Sequence, residues 1–276
     1  MAVEKEKYGL IAGNGQFPFV VLQSARQQNL ELVVAAIKEE TFAGIESFGY
    51  PVHWLGLGEL GKLLRLFRDS GVRKAIMAGQ VKHVQIFGSS FPDLTMIRML
   101  AGLKHKNTDS LIGGVARILE EAGISLVDST ILLKPHMAVQ GVLTRRALSP
   151  SEQADVDYGR PIAHRIAAMD IGQTIVVRDR AVVAVEAMEG TDAVIRRAGD
   201  LVHKKDLTVI KVSKPKQDMR FDIPVVGLAT LEHMIDSGAT ALVVDAQRTI
   251  VLDRERLVEA ADRHDVAIVA LPPLEG

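Results

Sequence analysis

Apolar positions along the 276-residue chain gather into short runs of four to seven, separated by longer stretches with helical spacing. Tyr8–Ala12 reads as a first strand, followed by a helix to about Gln28 and a second strand over Leu32–Ile37. Val52–Leu55 reads as a short third strand, Leu60–Asp69 as a helix and Ala75–Ala78 as a further strand. Helices are expected over Leu94–Leu103 and Ser110–Ala122, and a strand over Ser125–Asp128. Strands alternating with helices imply a parallel, doubly wound sheet. From Leu132 to Pro150 the pattern weakens around Pro135, Gly141 and Pro150. It resumes with a helix near Glu152–Ala168, strands over Thr174–Arg178 and Ala181–Glu186, a helix near Asp192–Leu201 and a strand over Leu207–Val212. Strands over Ala241–Val244 and Thr249–Leu252, a helix over Arg254–Arg263 and a strand over Val266–Ala270 complete it. The expected fold class is α/β, with a Rossmann-like parallel-sheet domain over 1–135, a linker over 136–150 and a distinct catalytic α/β domain over 151–276.

Composition narrows the classes of function. Aromatic residues are 4% of the chain, so the cores must be aliphatic, as buried parallel sheets are. The net charge of −1 and the lack of a dominant basic stripe speak against nucleic acid as a partner. No cysteine is present, which removes disulfides, thiolate nucleophiles and cysteine-ligated metals. The charged start, without a signal peptide or an apolar run of membrane-spanning length, leads to the expectation of a soluble cytoplasmic protein.

Three segments carry candidate chemistry. Gly13-Asn14-Gly15 stands between a strand and a helix, with Pro18 in the first helical turn. Such a loop is either a tight structural turn or a phosphate contact at a helix start. The third glycine and the acid of the dinucleotide fingerprint are missing, so an NAD-linked oxidoreductase is disfavoured, and no Walker lysine follows. Gly79 and Gln80 end another strand in the same way. Glu186, Glu189, Thr191 and Asp192 form the second segment. Thr191 reads as a helix N-cap, and the acids suit either the helix dipole or a metal with phosphate.

The third segment, Lys214 to Pro224, is dense in charge between apolar strands and includes Gln217. If extended, Asp218, Arg220 and Asp222 share one face. That row suits a hard cation bound together with a phosphate, and Arg220 offers paired donors to phosphate oxygens; Lys211 and Lys214 add charge. A charged edge strand is the plain structural alternative. The basic run from Arg98 to Lys106 is either an anionic-lipid contact or a helix end with cations near its C-terminus.

Taken together, Gly13-Asn-Gly-x-Phe-Pro18, Glu186-Ala-Met-Glu-Gly-Thr-Asp192 and Lys214-Pro-Lys-Gln-Asp-Met-Arg-Phe-Asp-Ile-Pro224 resemble the UDP-2,3-diacylglucosamine pyrophosphatase family, in its type without a metallophosphoesterase signature. The similarity runs over nearly the whole chain. The resemblance implies Mg²⁺-dependent cleavage of UDP-2,3-diacylglucosamine to UMP and 2,3-diacylglucosamine 1-phosphate in lipid A synthesis. It implies attack at the phosphorus nearer the sugar and a key catalytic acid at Asp222, supported by Arg220 and Asp218. On the hydrolase reading, Mg²⁺ is expected on Asp222 with help from Asp218 or Glu189, and substrate contacts are expected from Gly13, Asn14, Gly15, Gly79, Gln80, Thr191, Lys214 and Gln217. The expected partner is a UDP-linked diacylated sugar lipid; peripheral contact with the inner-membrane surface and a homodimer are both compatible with it. Lys216 stands where the family pattern has glycine. A non-catalytic nucleotide-sugar sensor on the same fold is the alternative.

Overall fold

A computed structural model of the chain describes residues 6–38, 40–79, 92–103, 108–215, 218–220 and 223–274. The chain divides into two compact units: Met1–Leu133 with Met219–Phe221, and Lys134–Asp218 with Asp222–Gly276.

The first unit is built on a parallel sheet of five strands: β1 (Lys7–Ala12), β2 (Glu31–Ile37), β3 (Val52–Leu55), β4 (Lys74–Ala78) and β5 (Ser125–Leu126). Their spatial order is β3-β2-β1-β4-β5. The chain builds outward from β1 through β2 to β3, then returns to the other side of β1. The order therefore reverses between β1 and β4. The sheet carries α1 (Phe17–Gln27), α2 (Leu60–Asp69), α3 (Leu94–Ala101) and α4 (Thr108–Glu121). Central strands read as unbroken apolar runs because both faces are covered: Leu10, Val34, Ala35 and Ile76 are fully buried. Phe67 of α2 fills the space above Gly9, where an added Cβ would sit 2.6 Å from the ring.

The second unit holds a mixed six-stranded sheet ordered β6-β13-β11-β9-β7-β8. Its strands are β6 (Gly141–Val142), β7 (Thr174–Arg178), β8 (Ala181–Val185), β9 (Leu207–Lys211), β11 (Ala239–Asp245) and β13 (Ala267–Leu271). A separate parallel pair joins β10 (Val225–Val226) to β12 (Ile250–Val251). The helices are α5 (Pro150–Ala168), α6 (Thr191–Leu201), α7 (Leu228–Asp236) and α8 (Arg254–Arg263). β9, β11 and β13 run parallel, whereas β6, β7 and β8 pair antiparallel. The stretch 136–150, read from its turn residues as a linker, supplies β6 and lies within this unit. α7 and β10 have no counterpart among the sequence-based expectations.

α5 fixes this unit through buried polar groups. Ser149 and Glu152 form a reciprocal capping box at its start. Glu152 also receives Arg146 in a two-pronged ion pair, at 2.8 and 2.9 Å, and the Thr240 hydroxyl at 2.6 Å. Burial alone pushes the Glu152 carboxyl up. Arg146, Thr240 and the Ser149 amide more than offset that and hold it at about 2. One turn on, buried Asp155 accepts the Arg180 amide at 2.6 Å and the Thr208 hydroxyl at 3.1 Å. At Gly159 the helix approaches the sheet so closely that a Cβ would lie 2.7 Å from Ile210 and Val177.

Because the folded pKa of Glu152 lies below its ordinary 4.5, its contribution is present above about pH 4.5 and is lost as pH falls toward about 2. Glu152→Ala leaves Arg146 without its partner and is expected to cost about 3 kcal/mol at pH 7. The difference from wild type should shrink as unfolding midpoints in urea are followed from pH 5 to pH 3.

Candidate active site

In open parallel sheets, ligands bind beyond the carboxyl ends of strands where the strand order reverses. In the first unit that place is the edge between β1 and β4. The Gly13-Asn14-Gly15 loop follows β1, and Gly79 follows β4. The structure brings them together: the Gly13 amide donates to the Ala78 carbonyl at 2.8 Å. Gly79 has φ +90°, and an added Cβ would sit 2.5 Å from the Asn14 carbonyl oxygen. Only glycine fits both the backbone angle and the space. Gly15 also has positive φ, and Pro18 occupies the first turn of α1, as expected. Gln80 lies outside the described residues.

Ser129, just past β5, draws the charged segment to this same edge. Its amide donates to the Met219 carbonyl at 2.9 Å. Its hydroxyl lies within hydrogen-bonding reach of the Arg220 carbonyl and, at 2.7 Å, of the Met77 carbonyl near the end of β4. One hydroxyl carries one proton, so these two acceptors share it. Two consecutive carbonyls, of residues 219 and 220, thus turn toward one serine. In an extended strand, successive residues face opposite ways. Met219 and Arg220 accordingly form a turn, so the extended backbone on which the one-face row was conditional is not met at these two residues. Asp218 groups with the second unit and Arg220 with the first. The Arg220 guanidinium pairs with Glu120 at 3.2 Å. Gln217 and Asp222 lie outside the described residues.

In the second unit, Thr191 opens α6 without capping it. Gly190 takes the cap position at φ 84°, which frees the threonine hydroxyl. That hydroxyl donates to Glu186 at 2.9 Å and accepts from the Lys211 ammonium at 2.9 Å. Lys211 ends β9, is 9% exposed, and also donates to the Val225 carbonyl at 3.0 Å. A buried ammonium beside a helix N-terminus concentrates positive potential, the condition a phosphate group needs. Three residues later, Lys214 meets Asp170 at 2.5 Å.

Magnesium takes oxygen donors, and Asp218 and Asp222 are of that kind. Glu189 fits less well. Its carboxylate pairs with Arg197 at 2.7 Å and accepts the Ala187 amide at 3.0 Å. Its own backbone amide and Arg197 hold it below the ordinary carboxylate range. Among the described residues, no three acids or histidines converge on a cation position.

The sequence reading named the glycine loops, Thr191 and Lys214 as candidates; it did not single out Ser129 or Glu120, which the structure places against the charged segment. The polar run Asp128-Ser129-Thr130 closing an apolar strand is the signal that points to Ser129.

Comparison with known proteins decides the family. The LpxI N-terminal domain model matches residues 7–136 and the LpxI C-terminal domain model residues 139–269. The chain is 31% identical to the UDP-2,3-diacylglucosamine pyrophosphatase LpxI of Caulobacter vibrioides, over 98% of this chain and 99% of that protein. The chain belongs to the LpxI family. Solved structures offer only remote likeness. The biotin carboxylase domain of Hydrogenobacter thermophilus 2-oxoglutarate carboxylase has a TM-score of 0.29 at 13% identity, covering 80% of this chain and 45% of that one. The biotin carboxylase subunit of pyruvate carboxylase has a TM-score of 0.26 at 13% identity, covering 66% and 38%. The chain spans less than half of either, and neither likeness bears on the LpxI site.

Gly79→Ala tests the tight approach of the two strand-end loops. It is expected to lower stability by ~2 kcal/mol or more, from strained backbone plus the clash with Asn14. Urea unfolding of the variant against Gly71→Ala, a positive-φ glycine with open space around it, separates the clash from the backbone strain.

Proposed function

We propose that this protein hydrolyses the pyrophosphate of UDP-2,3-diacylglucosamine, giving UMP and 2,3-diacylglucosamine 1-phosphate in lipid A synthesis. Its relationship to the Caulobacter vibrioides pyrophosphatase, which runs the length of both chains, carries this reading. Water adds to the phosphorus nearer the sugar, and the bridging oxygen leaves with UMP. Lys211, Lys214 and Arg220 offset the charge on the phosphoryl oxygens. The β1 and β4 loops suit the nucleotide end, since the strand order β3-β2-β1-β4-β5 supports a Rossmann-like reading of the first unit. Asp222 is assigned as the catalytic acid on its place in the motif, with Asp218 beside it as the second oxygen donor. A Mg²⁺ ion held there supplies polarisation of the pyrophosphate and orientation of water. Among the described residues, no helix is long and apolar enough to cross a membrane. The lipid nature of the substrate is what supports a cytoplasmic enzyme that meets it at the inner-membrane surface.

Purified protein given UDP-2,3-diacylglucosamine and Mg²⁺ is expected to release UMP, and EDTA to abolish release. Asp222→Ala should lower kcat by about 10²–10³-fold, the scale of losing one transition-state contact. Wild type that binds the lipid without forming UMP would sink the hydrolase and favour a sensor. Undiminished turnover in Asp222→Ala would remove Asp222 from the mechanism.

A further inference from the structure

The last residue of β11, Asp245, is fully buried, yet four polar groups surround its carboxylate. Oδ2 accepts both the Ser213 amide at 2.7 Å and the Ser213 hydroxyl at 2.8 Å. Oδ1 accepts Arg160 at 2.8 Å, and His164 Nε2 stands 3.5 Å away. Arg160 and His164 lie one turn apart on α5, and Arg160 also donates to the Pro272 carbonyl. Burial pushes the Asp245 carboxyl up, but His164, Arg160 and Ser213 together hold it at about 2. With no exposed surface, Asp245 has no access to substrate. A buried ion pair is also a costly way to gain stability, since apolar packing of similar volume often serves as well.

What the carboxylate holds is informative. β9 and β11 are parallel neighbours, with Lys211 beside Val244. Ser213 lies two residues past Lys211 and immediately before Lys214, so it is the point at which the chain leaves the sheet for the charged segment. Both of its donors end on one oxygen of a carboxylate that cannot turn, because Arg160 holds the other. β9 ends at Lys211, its pairing runs one bond further from the Val212 amide to the Gln173 carbonyl at 2.9 Å, and at Ser213 the Asp245 carboxylate takes over.

We infer that Asp245, locked by Arg160, is a positioning residue that sets where the Lys214–Pro224 segment leaves the sheet, acting through Ser213. This rests on the reading of that segment as the chemical centre. The carboxylate fixes both the Ser213 backbone and its side chain, and thereby the point from which Lys214 departs. A site held to within a fraction of an ångström loses rate, rather than binding, when such a support is removed.

The test uses the full-length protein with Ser213→Ala, which deletes only the hydroxyl bond, Ser213→Thr, which restores a hydroxyl, and Asp245→Asn. Ser213→Ala is expected to lower kcat about tenfold with KM within twofold, and to lower the unfolding midpoint by no more than one lost buried hydrogen bond accounts for. Ser213→Thr should regain most of that loss. Hydrogen exchange by mass spectrometry supplies a readout that needs no activity. Amides over 213–220 should exchange about tenfold faster in Ser213→Ala and faster still in Asp245→Asn, while β11 amides keep their protection in Ser213→Ala. Equal exchange over 213–220 in wild type and Ser213→Ala would overturn the inference. So would a loss of protection spread through β11 in Ser213→Ala, which marks Ser213 as general support for the fold. If wild type forms no UMP, the functional reading fails by that result alone, and the exchange pattern still decides whether Asp245 positions the segment.

Discussion

The second unit depends on two carboxylates that hold the ends of one central strand. Glu152 receives Thr240 at the beginning of β11, and Asp245 is the residue that ends it. Both are tied to α5, the first by lying in its first turn and the second through Arg160 and His164. Aliphatic contact between a helix and a sheet is non-directional and is set by shape alone. A charge that must meet its partner at hydrogen-bond distance adds direction. Asp155, between them, adds a third fixed point through Arg180 and Thr208.

The first unit solves the matching problem by backbone means. Its strand-end loops approach each other through glycines and main-chain bonds, and Ser129 recruits two carbonyls from far along the chain. The two halves therefore present different chemistry. One offers main-chain groups and small residues at a reversal of strand order; the other offers Lys211, Lys214 and the N-terminus of α6.

Much of this was legible in the sequence, for identifiable reasons. β7, α2 and α8 fall where periodicity places them because valine-rich runs and amphipathic spacing are local properties. The two-residue strands β6 and β10 are too short to leave a period. α7 carries Leu228, Leu231 and Met234 at helical spacing, but it begins at a glycine without a capping side chain. The order of the second sheet comes from packing between distant segments, which no window of sequence contains. At the site, a glycine after a strand announces itself. A lone polar residue after a strand does not say what it will meet, and so Ser129 and Asp245 went unread. The one-face row in the charged segment was conditional on an extended strand, and no sequence window shows the Ser129 bonds that turn Met219 and Arg220.

The placement of Met219 and Arg220 has a consequence for biosynthesis. The first unit ends its continuous run at Leu133 but takes in these residues only much later in the chain. At bacterial-type elongation of about 5–20 residues per second, several seconds separate the emergence of Leu133 from that of Arg220. During that interval the carbonyl of Met77 is the sole claimant, of the two, on the Ser129 hydroxyl, and the edge that will carry the glycine loops lacks its last two residues. The nascent protein can thus bury its first core early, while this edge of the first unit is finished only after most of the second unit has been synthesised.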